Sequence, residues 1–126
     1  MYQILICDDE PDIVNALKIY LSSERDYKLF EAYTGAQALD LVRRETIHLI
    51  LMDVMMPVRD GHEATRAIRA MDRPDAKTIP IFAMTANAFT EDRRKALESG
   101  MNEHLPKPID PDALYRLLVK YLTERS

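Results

Sequence analysis

The stretch ILMDVMMPVRDG, residues 50–61, ends an apolar run on a carboxylate and follows it with a proline and a glycine. The apolar residues before Asp53 are typical of a buried strand, and the residues after it are typical of a loop. Taken alone, an aspartate at a strand end is more often a turn or capping residue than a reactive group. The side chains that the rest of the chain brings to this point must decide between the two interpretations.

The composition is that of an ordinary soluble globular domain. The chain has 126 residues, of which 47% are hydrophobic and 30% charged, and its formal net charge is −4. This length predicts one domain over residues 1–126, and the acidic balance argues against direct nucleic-acid binding, which usually needs a basic face. The single cysteine, Cys7, excludes an internal disulfide and is typical of a reducing compartment. No membrane segment and no signal peptide are visible, so a cytoplasmic location is expected.

Strand and helix patterns alternate along the chain. Strand patterns are predicted at 4–7, 27–33, 48–52, 79–84 and 102–105, and helix patterns at 12–21, 35–44, 61–71, 88–99 and 111–122. Five such units favour a flavodoxin-like, doubly wound (βα)5 α/β fold, with a parallel sheet covered on both faces. The second and fifth strand patterns contain charged residues, as edge strands can, which favours the order 2-1-3-4-5. Gly100 is expected to end the fourth helix, and Asp110 to cap the last one.

Polar side chains come at the carboxyl ends of four predicted strands. They are Asp8 and Asp9 after the first, Asp53 after the third, Thr85 after the fourth and Lys107 after the fifth. Because parallel strands bring their carboxyl ends to one edge, where such folds bind ligands, we expect these side chains to lie together. Two carboxylates about 4 Å apart repel by roughly 4 kcal/mol at an effective dielectric constant near 20, so a proton or a cation must be bound.

Oxygen ligands on an open loop favour Mg²⁺ as that cation. An Mg²⁺ beside one exposed carboxylate, with a lysine and a hydroxyl nearby, is suited to transfer of a phosphoryl group onto that carboxylate. One alternative is an aspartate-nucleophile phosphatase, but those enzymes usually carry Asp-x-Asp after the first strand, whereas Asp8 and Asp9 are adjacent. Another is an interaction module that never takes up phosphate, which the complete set of five side chains disfavours.

The segments DDE (8–10), MDVMMPVRDG (52–61), MTA (84–86) and LPKP (105–108) resemble the signature of the receiver domain of two-component response regulators. The resemblance covers essentially the whole chain. It implies a phosphoacceptor signalling domain that takes its phosphoryl group from a phosphohistidine of a sensor histidine kinase or a histidine phosphotransfer domain. Such a domain catalyses its own phosphorylation and dephosphorylation and is not an enzyme for other substrates. Residues 56–70 and 84–110 look most like receivers attached to hybrid sensor histidine kinases.

The resemblance also implies a role for each site residue. Asp53 is the phosphoacceptor and a metal ligand, and Asp8, Asp9 and the backbone carbonyl of Met55 are the further ligands of Mg²⁺. Lys107, reached through a cis peptide bond to Pro108, pairs with the phosphoryl group.

A switch is the next implication of the resemblance. Thr85 is expected to turn inward to hydrogen-bond the phosphoryl group. The face formed by helix 4, strand 5 and helix 5 of the predicted fold (88–99, 102–105 and 111–122), called the output face below, then changes shape to contact an output partner or a second copy in a homodimer. His104 lies where the family commonly has a mobile aromatic residue. An imidazole is smaller and can titrate, so a switch role and a plain surface position both stay open.

Two positions are expected to set the lifetime of the phosphoryl group. Met55 is two residues past Asp53, and Asn87 is two residues past Thr85. Both would border the path of an attacking water molecule. A methionine cannot orient water by hydrogen bonding and Asn87 can do so only weakly, so we expect slow self-dephosphorylation.

Overall fold

A five-stranded parallel sheet with helices on both faces forms the core of the protein in a computed structural model. The structure describes residues 2–22, 27–55, 61–85 and 90–123, with the backbone alone at 90–93 and 123. The strands are β1 Tyr2–Cys7, β2 Tyr27–Ala32, β3 Leu49–Asp53, β4 Ile81–Thr85 and β5 Glu103–Pro106. The helices are α1 Pro11–Ser22, α2 Gly35–Arg44, α3 Gly61–Arg69, α4 Pro74–Thr78, α5 Thr90–Ser99 and α6 Pro111–Leu118, which continues as a π-helix over Val119–Thr123. The predicted order β2-β1-β3-β4-β5 is confirmed.

Each face of the sheet has its own hydrophobic core, because successive strand residues point to opposite faces. In β1, Ile4 and Ile6 pack in the core under α1 and α6, whereas Leu5 and Cys7 pack in the core under α2, α3 and α5. Every residue of β3 and β4 is buried, as expected for strands covered on both faces. The edge strands β2 and β5 are only partly buried. This arrangement fixes the register that brings the strand ends together.

The helix ends carry the expected caps. The Asp110 side chain accepts a hydrogen bond from the Asp112 backbone N–H at 3.2 Å, which caps α6. Thr34 caps α2 by accepting from the Gln37 N–H at 3.1 Å. Gly100 follows α5 with φ 105°, a conformation that favours glycine over any other residue.

Several element boundaries differ from the sequence prediction. Helix α3 ends at Arg69 instead of residue 71, and the helix α4 was not predicted because five residues starting at Pro74 give no periodic apolar pattern. The helix predicted over 111–122 keeps α-helical bonding only to Leu118, although Leu122 in the π-helix is still buried. Asp53 and Thr85 are the last residues of their strands rather than the residues that follow them.

The Arg69 side chain joins α3 to the start of β5. Its guanidinium donates to the carbonyl oxygen of Gly100 at 3.0 and 2.8 Å, to the side-chain oxygen of Asn102 at 3.0 Å and to the carbonyl oxygen of Ala76 at 3.1 Å. Asn102 Oδ1 also accepts from the Ile81 N–H at 2.9 Å. This network holds the beginnings of β4 and β5 in place, and their far ends carry site residues.

The hydroxyl group of Thr65 in α3 is buried away from solvent. The side chain is fully buried, and Oγ1 has no hydrogen-bond partner among the described residues. A buried polar atom without a partner is costly, whereas an apolar group of the same shape is not. Thr65→Val is therefore expected to raise the free energy of unfolding by about 1 kcal/mol in urea titrations. A loss of stability in this variant would mean that the hydroxyl is bonded in solution.

Candidate functional site

The side chain of Lys107 connects the two buried carboxylates at the carboxyl edge of the sheet. Its Nζ lies 2.9 Å from Asp8 Oδ2 and 3.3 Å from Asp53 Oδ1. The three residues come from the ends of β1, β3 and β5, which are separated by long stretches of chain. The structure therefore brings together three of the side chains that the strand-end argument expected to meet.

Backbone hydrogen bonds beyond the strands hold these ends in register. The Asp8 N–H donates to Ala32 O at 3.1 Å, the Val54 N–H to Met84 O at 3.1 Å and the Lys107 N–H to Thr85 O at 2.7 Å. The peptide bond between Lys107 and Pro108 is cis, as expected. The backbone of the site residues is therefore held by hydrogen bonds that extend the parallel sheet past its strand ends.

Asp53 is more enclosed than the sequence indicated. The sequence predicts an exposed carboxylate, but Asp53 has a relative exposure of 1%. Its Oδ1 accepts a hydrogen bond from the Met55 N–H at 3.1 Å, and the Gly61 N–H donates to Val54 O at 3.3 Å, which folds the start of α3 over the end of β3. The buried carboxylate therefore contacts both the Met55 backbone N–H and Lys107 through Oδ1.

This environment shifts the pKa values of Asp53 and Lys107. Burial raises the pKa of Asp53 to about 7, and the negative charge of Asp8 adds to the rise, while the Met55 N–H and Lys107 oppose it. Burial alone would lower the pKa of Lys107, but its hydrogen bond to Asp8 and the charge of Asp53 raise it on balance. Lys107 therefore stays protonated, and further positive charge beside Asp53 would favour its ionised form.

The donor set fits a divalent cation. Asp8, Asp9 and Glu10 each offer a carboxylate oxygen, and these oxygens lie within 4.8 Å of one another. The Oδ2 atom of Asp53 is buried and has no hydrogen-bond partner in the part of the chain that the structure describes. A buried carboxylate oxygen without a partner, next to a cluster of acids, is what a hard cation such as Mg²⁺ would satisfy. Glu10 was not a predicted ligand, although its place in DDE made it visible in the sequence.

The Thr85 hydroxyl contacts His104. Thr85 is 2% exposed, and its Oγ1 lies 2.6 Å from His104 Nε2. The two residues belong to neighbouring strands, so the contact crosses from β4 to the edge strand β5. The sequence placed both residues near the site but gave no sign that they bond to each other.

The other predicted positions are less closely tied to the site. Met55 has a relative exposure of 71%, and it contacts Asp53 through its backbone N–H. Asn87 lies outside the described residues. Cys7 is fully buried, and burial, reinforced by the charge of Asp53, raises the pKa of its thiol to about 12, so the thiol is inert at neutral pH.

Comparison with known proteins agrees with this geometry. The protein-family model for the response regulator receiver domain matches residues 4–119 of the chain. The chain belongs to the receiver domain family. Receiver domains are the phosphoacceptor signalling domains of two-component phosphorelay systems, and the predicted recognition is confirmed.

Two relatives show the contexts in which similar receivers occur. An uncharacterised 14.6 kDa protein from the sodA1 3′ region of Leptolyngbya boryana is 41% identical over 94% of this chain and 88% of its own length. Sensor protein GacS of Pseudomonas syringae pv. syringae is 36% identical over 94% of this chain, which spans only 13% of that kinase. The predicted likeness to receivers of sensor kinases is therefore confirmed, and the rest of such a kinase lies beyond the match.

Two solved structures resemble the whole domain. The receiver domain of sensor histidine kinase PA1611 from Pseudomonas aeruginosa PAO1, with magnesium coordinated in its active-site cleft, has a TM-score of 0.86 and 36% identity over 97% of this receiver and 98% of that chain. The receiver domain of Saccharomyces cerevisiae Ssk1, crystallised with the histidine phosphotransfer protein Ypd1, has a TM-score of 0.87 and 31% identity. The match covers 98% of this receiver and 90% of that chain. In the described part of this receiver, no helix has the length and apolar character of a bilayer span.

Proposed function

We propose that residues 1–126 form a single receiver domain in which Asp53 accepts a phosphoryl group from a phosphohistidine. The observation that carries this proposal is the environment of Asp53: a buried carboxylate bound to Lys107, with one oxygen that has no partner among the described residues and a cluster of acids beside it. The donor is a sensor histidine kinase or a histidine phosphotransfer domain. The Ssk1 receiver in its crystal with Ypd1 is a precedent for the second kind of donor.

The site residues have separate roles in this transfer. An ionised Asp53 oxygen forms a bond to phosphorus as the bond from phosphorus to the imidazole nitrogen of the donor breaks, and that nitrogen then takes up a proton. Lys107, already 3.3 Å from Asp53, pairs with the phosphoryl oxygens and leaves its contact with the carboxylate. Asp8, Asp9, Asp53 and the Met55 carbonyl would hold Mg²⁺, which offsets the charge on the phosphoryl oxygens when bound.

Removal of the phosphoryl group uses the same side chains. A water molecule attacks phosphorus, the bond to Asp53 breaks, and the carboxylate returns to its pairing with Lys107. The domain thus catalyses its own phosphorylation and dephosphorylation and stays a signalling protein. A phosphatase that turns over small phosphate esters would instead release phosphate steadily from such substrates.

The switch extends from Thr85 to the output face. The Thr85 hydroxyl hydrogen-bonds the phosphoryl group, and its contact with His104 on β5 carries the change to α5, β5 and α6, which form the output face in the structure. Exposed Leu97 on α5 and exposed Val119 in the π-helix that continues α6 offer apolar contacts to a partner or a second copy in a homodimer. This is a population shift between two packings that phosphorylation biases. The cytoplasmic location remains a prediction of the sequence.

Acetyl phosphate labelling tests the proposal directly. With Mg²⁺, wild-type protein is expected to gain one phosphoryl group in intact-protein mass spectrometry, and with a chelator in place of Mg²⁺ it is not. Asp53→Asn removes the nucleophile and should not be labelled. Asp40→Asn, an exposed acid paired with Arg44 on α2, should label like wild type. Equal labelling of the Asp53 and Asp40 variants, or none of wild type, would overturn the assignment.

The side chain at position 55 is expected to control the lifetime of the phosphoryl group. Met55 projects into solvent beside Asp53 and cannot hydrogen-bond a water molecule in place. Met55→Asn supplies such a group and should speed the loss of label from purified phosphoprotein by about threefold or more, since general positioning effects of this kind are large. Met55→Leu, which is equally apolar, is the matched control. Identical decay in a radiolabel chase of all three proteins would remove the role of this side chain.

A further inference from the structure

The hydrogen bond between Thr85 and His104 couples the site to an imidazole on the edge strand β5. Oγ1 and Nε2 are 2.6 Å apart, the hydroxyl is 2% exposed, and the imidazole is half-buried. We propose that His104 is a positioning residue whose proton makes the Thr85 hydroxyl available to the phosphoryl group, so that phosphorylation and protonation of His104 favour each other. This inference rests on the proposed function.

The first reason for this coupling is that the Thr85 hydroxyl has only one hydrogen atom to donate. A threonine hydroxyl has one hydrogen to donate and two lone pairs that accept. When Nε2 carries no hydrogen, it takes the hydrogen of Thr85, and a phosphoryl oxygen competes for the same donor because it can only accept. When Nε2 carries a hydrogen, the imidazole donates to Oγ1 and the hydroxyl hydrogen can turn to the phosphoryl group. The bond to His104 then positions the hydroxyl instead of occupying it.

Charge gives the second reason. Phosphorylation adds about 1.5 to 2 negative charges at neutral pH, and a nearby negative charge favours the cationic form of an imidazole. The neutral tautomer with hydrogen on Nε2 can also donate a hydrogen bond to the Thr85 hydroxyl. The cationic imidazolium donates the same hydrogen bond and also offsets the negative charge of the phosphoryl group. Because coupling between two binding events is reciprocal, acid conditions that protonate His104 strengthen binding of a phosphoryl group.

Glu103 on β5 and Lys120 in the π-helix that continues α6 are described charged groups on the elements around His104, and they are paired with each other. Glu103, the preceding residue of β5, accepts a hydrogen bond from the Tyr121 hydroxyl at 2.6 Å and lies 3.7 Å from Lys120 Nζ. On the neighbouring strand, His104 is paired with Ala83 in register, and Thr85 is uncharged. Among the described residues, the acid that precedes His104 in the chain is therefore already engaged by Tyr121 and Lys120.

Lys107 and the described part of α5 are further groups to consider beside His104. Lys107 follows β5 and is bound to the two buried site carboxylates. A small cavity beside His104 is lined on the α5 side by Ala96 and Leu97, which carry no charge. Arg94 and Glu98 on the same helix are exposed and lie 3.8 Å from each other.

The test compares the pH dependence of phosphoryl-mimic binding in two proteins. The affinity for beryllofluoride with Mg²⁺ is measured from about pH 8 to about pH 6 for wild type and His104→Gln, since an amide hydrogen-bonds but does not titrate in this range. The pH dependence of the mimic and of the site acids is common to both proteins, so it cancels in the ratio of the wild-type affinity to the His104→Gln affinity. We expect the ratio to rise by about threefold or more towards acid pH, below the limit of about tenfold per pH unit that one proton sets.

Proton uptake supplies a second measurement. Calorimetry in buffers of different ionisation enthalpy should show that wild type takes up more protons on beryllofluoride binding than His104→Gln does. If His104→Gln fails to unfold cooperatively, His104→Phe takes its place. Parallel affinity curves with equal proton uptake would overturn the role of His104 and leave the proposed function intact. Absence of beryllofluoride binding in both proteins at every pH would overturn both.

Discussion

Asp53→Asn is expected to raise the free energy of unfolding by about 2 kcal/mol near pH 8 in the absence of Mg²⁺. Burial raises the pKa of Asp53 from 3.8 to about 7. A shift of that size, which already includes the opposing contact with Lys107, corresponds to about 4 kcal/mol against the ionised form. An asparagine amide reproduces the hydrogen bonding of the protonated carboxyl only in part, so about half of this free energy is expected. A residue whose charge is useful for phosphoryl transfer is therefore unfavourable for folding.

The pH dependence gives this prediction its sign. Between 3.8 and about 7 the folded protein holds a proton on Asp53 that the unfolded chain has released. The stability of wild type should therefore fall as the pH rises through this window and level off above it, because the folded state binds more protons there. The variant has no carboxyl proton at this position, so its advantage over wild type should grow over the same window.

Urea unfolding at several pH values, followed by circular dichroism, measures the difference. Asp40→Asn is the matched control, because it removes an exposed carboxylate from a surface ion pair and should change stability by less than about 0.5 kcal/mol. Added Mg²⁺ should stabilise wild type and narrow its gap to Asp53→Asn, since a cation that binds only the folded state adds to its stability. A variant that is less stable than wild type at every pH would contradict the unfavourable burial of Asp53.

Gly61→Ala is expected to destabilise the protein by about 3 kcal/mol or more, because it forces new atoms into a packed interior. A Cβ at Gly61 would lie 2.2 Å from the carbonyl oxygen of Asp53 and 2.8 Å from Val54 Cα. Both are backbone atoms, so no side-chain rotation relieves the contact. The start of α3 would have to move away from the end of β3, which carries Asp53. Acetyl phosphate labelling should therefore slow by about tenfold or more, because phosphoryl transfer depends on close positioning.

Gly100→Ala is the matched control for this effect. Its φ of 105° makes any side chain unfavourable, and the nearest atom to a new Cβ is Arg69 Cγ at 3.1 Å, in a side chain that can move. We expect a loss of about 1 to 2 kcal/mol with labelling unchanged for the folded protein. Thermal unfolding and labelling of the two variants side by side separate a general loss of stability from damage at Asp53. Normal labelling of Gly61→Ala would contradict the close packing of α3 on the phosphoacceptor strand.

Much of the fold follows from local pattern. The continuous apolar runs that became β3 and β4 predicted central strands, and the charged residues of β2 and β5 predicted edges, which the observed order confirms. The short helix α4 and the change to π-helical bonding after Leu118 were not predicted. Neither alters the apolar periodicity that sequence reasoning uses, since α4 is too short for a period and Leu122 stays buried on the α6 side.

In the candidate site, too, some features were predictable from the sequence and others were not. That Asp8, Asp53 and Lys107 would meet followed from their places at the ends of parallel strands, and the observed contacts agree. The enclosure of Asp53 did not follow, because it comes from the backbone of Met55 and Gly61 folding back over the strand end.

The sequence by itself determined that this chain is a doubly wound receiver with acids and a lysine at one edge of its sheet. The fold and the edge depend only on periodicity and on the position of polar residues relative to strand ends, whereas the receiver assignment depends on the resemblance of four motifs to that family; all of these are local properties. The tertiary structure decided how the site is tuned: the depth of Asp53, the exposure of Met55 and the pairing of Thr85 with His104. Burial and hydrogen bonding depend on which distant segments arrive at the same point, and only the packing of the folded chain specifies that.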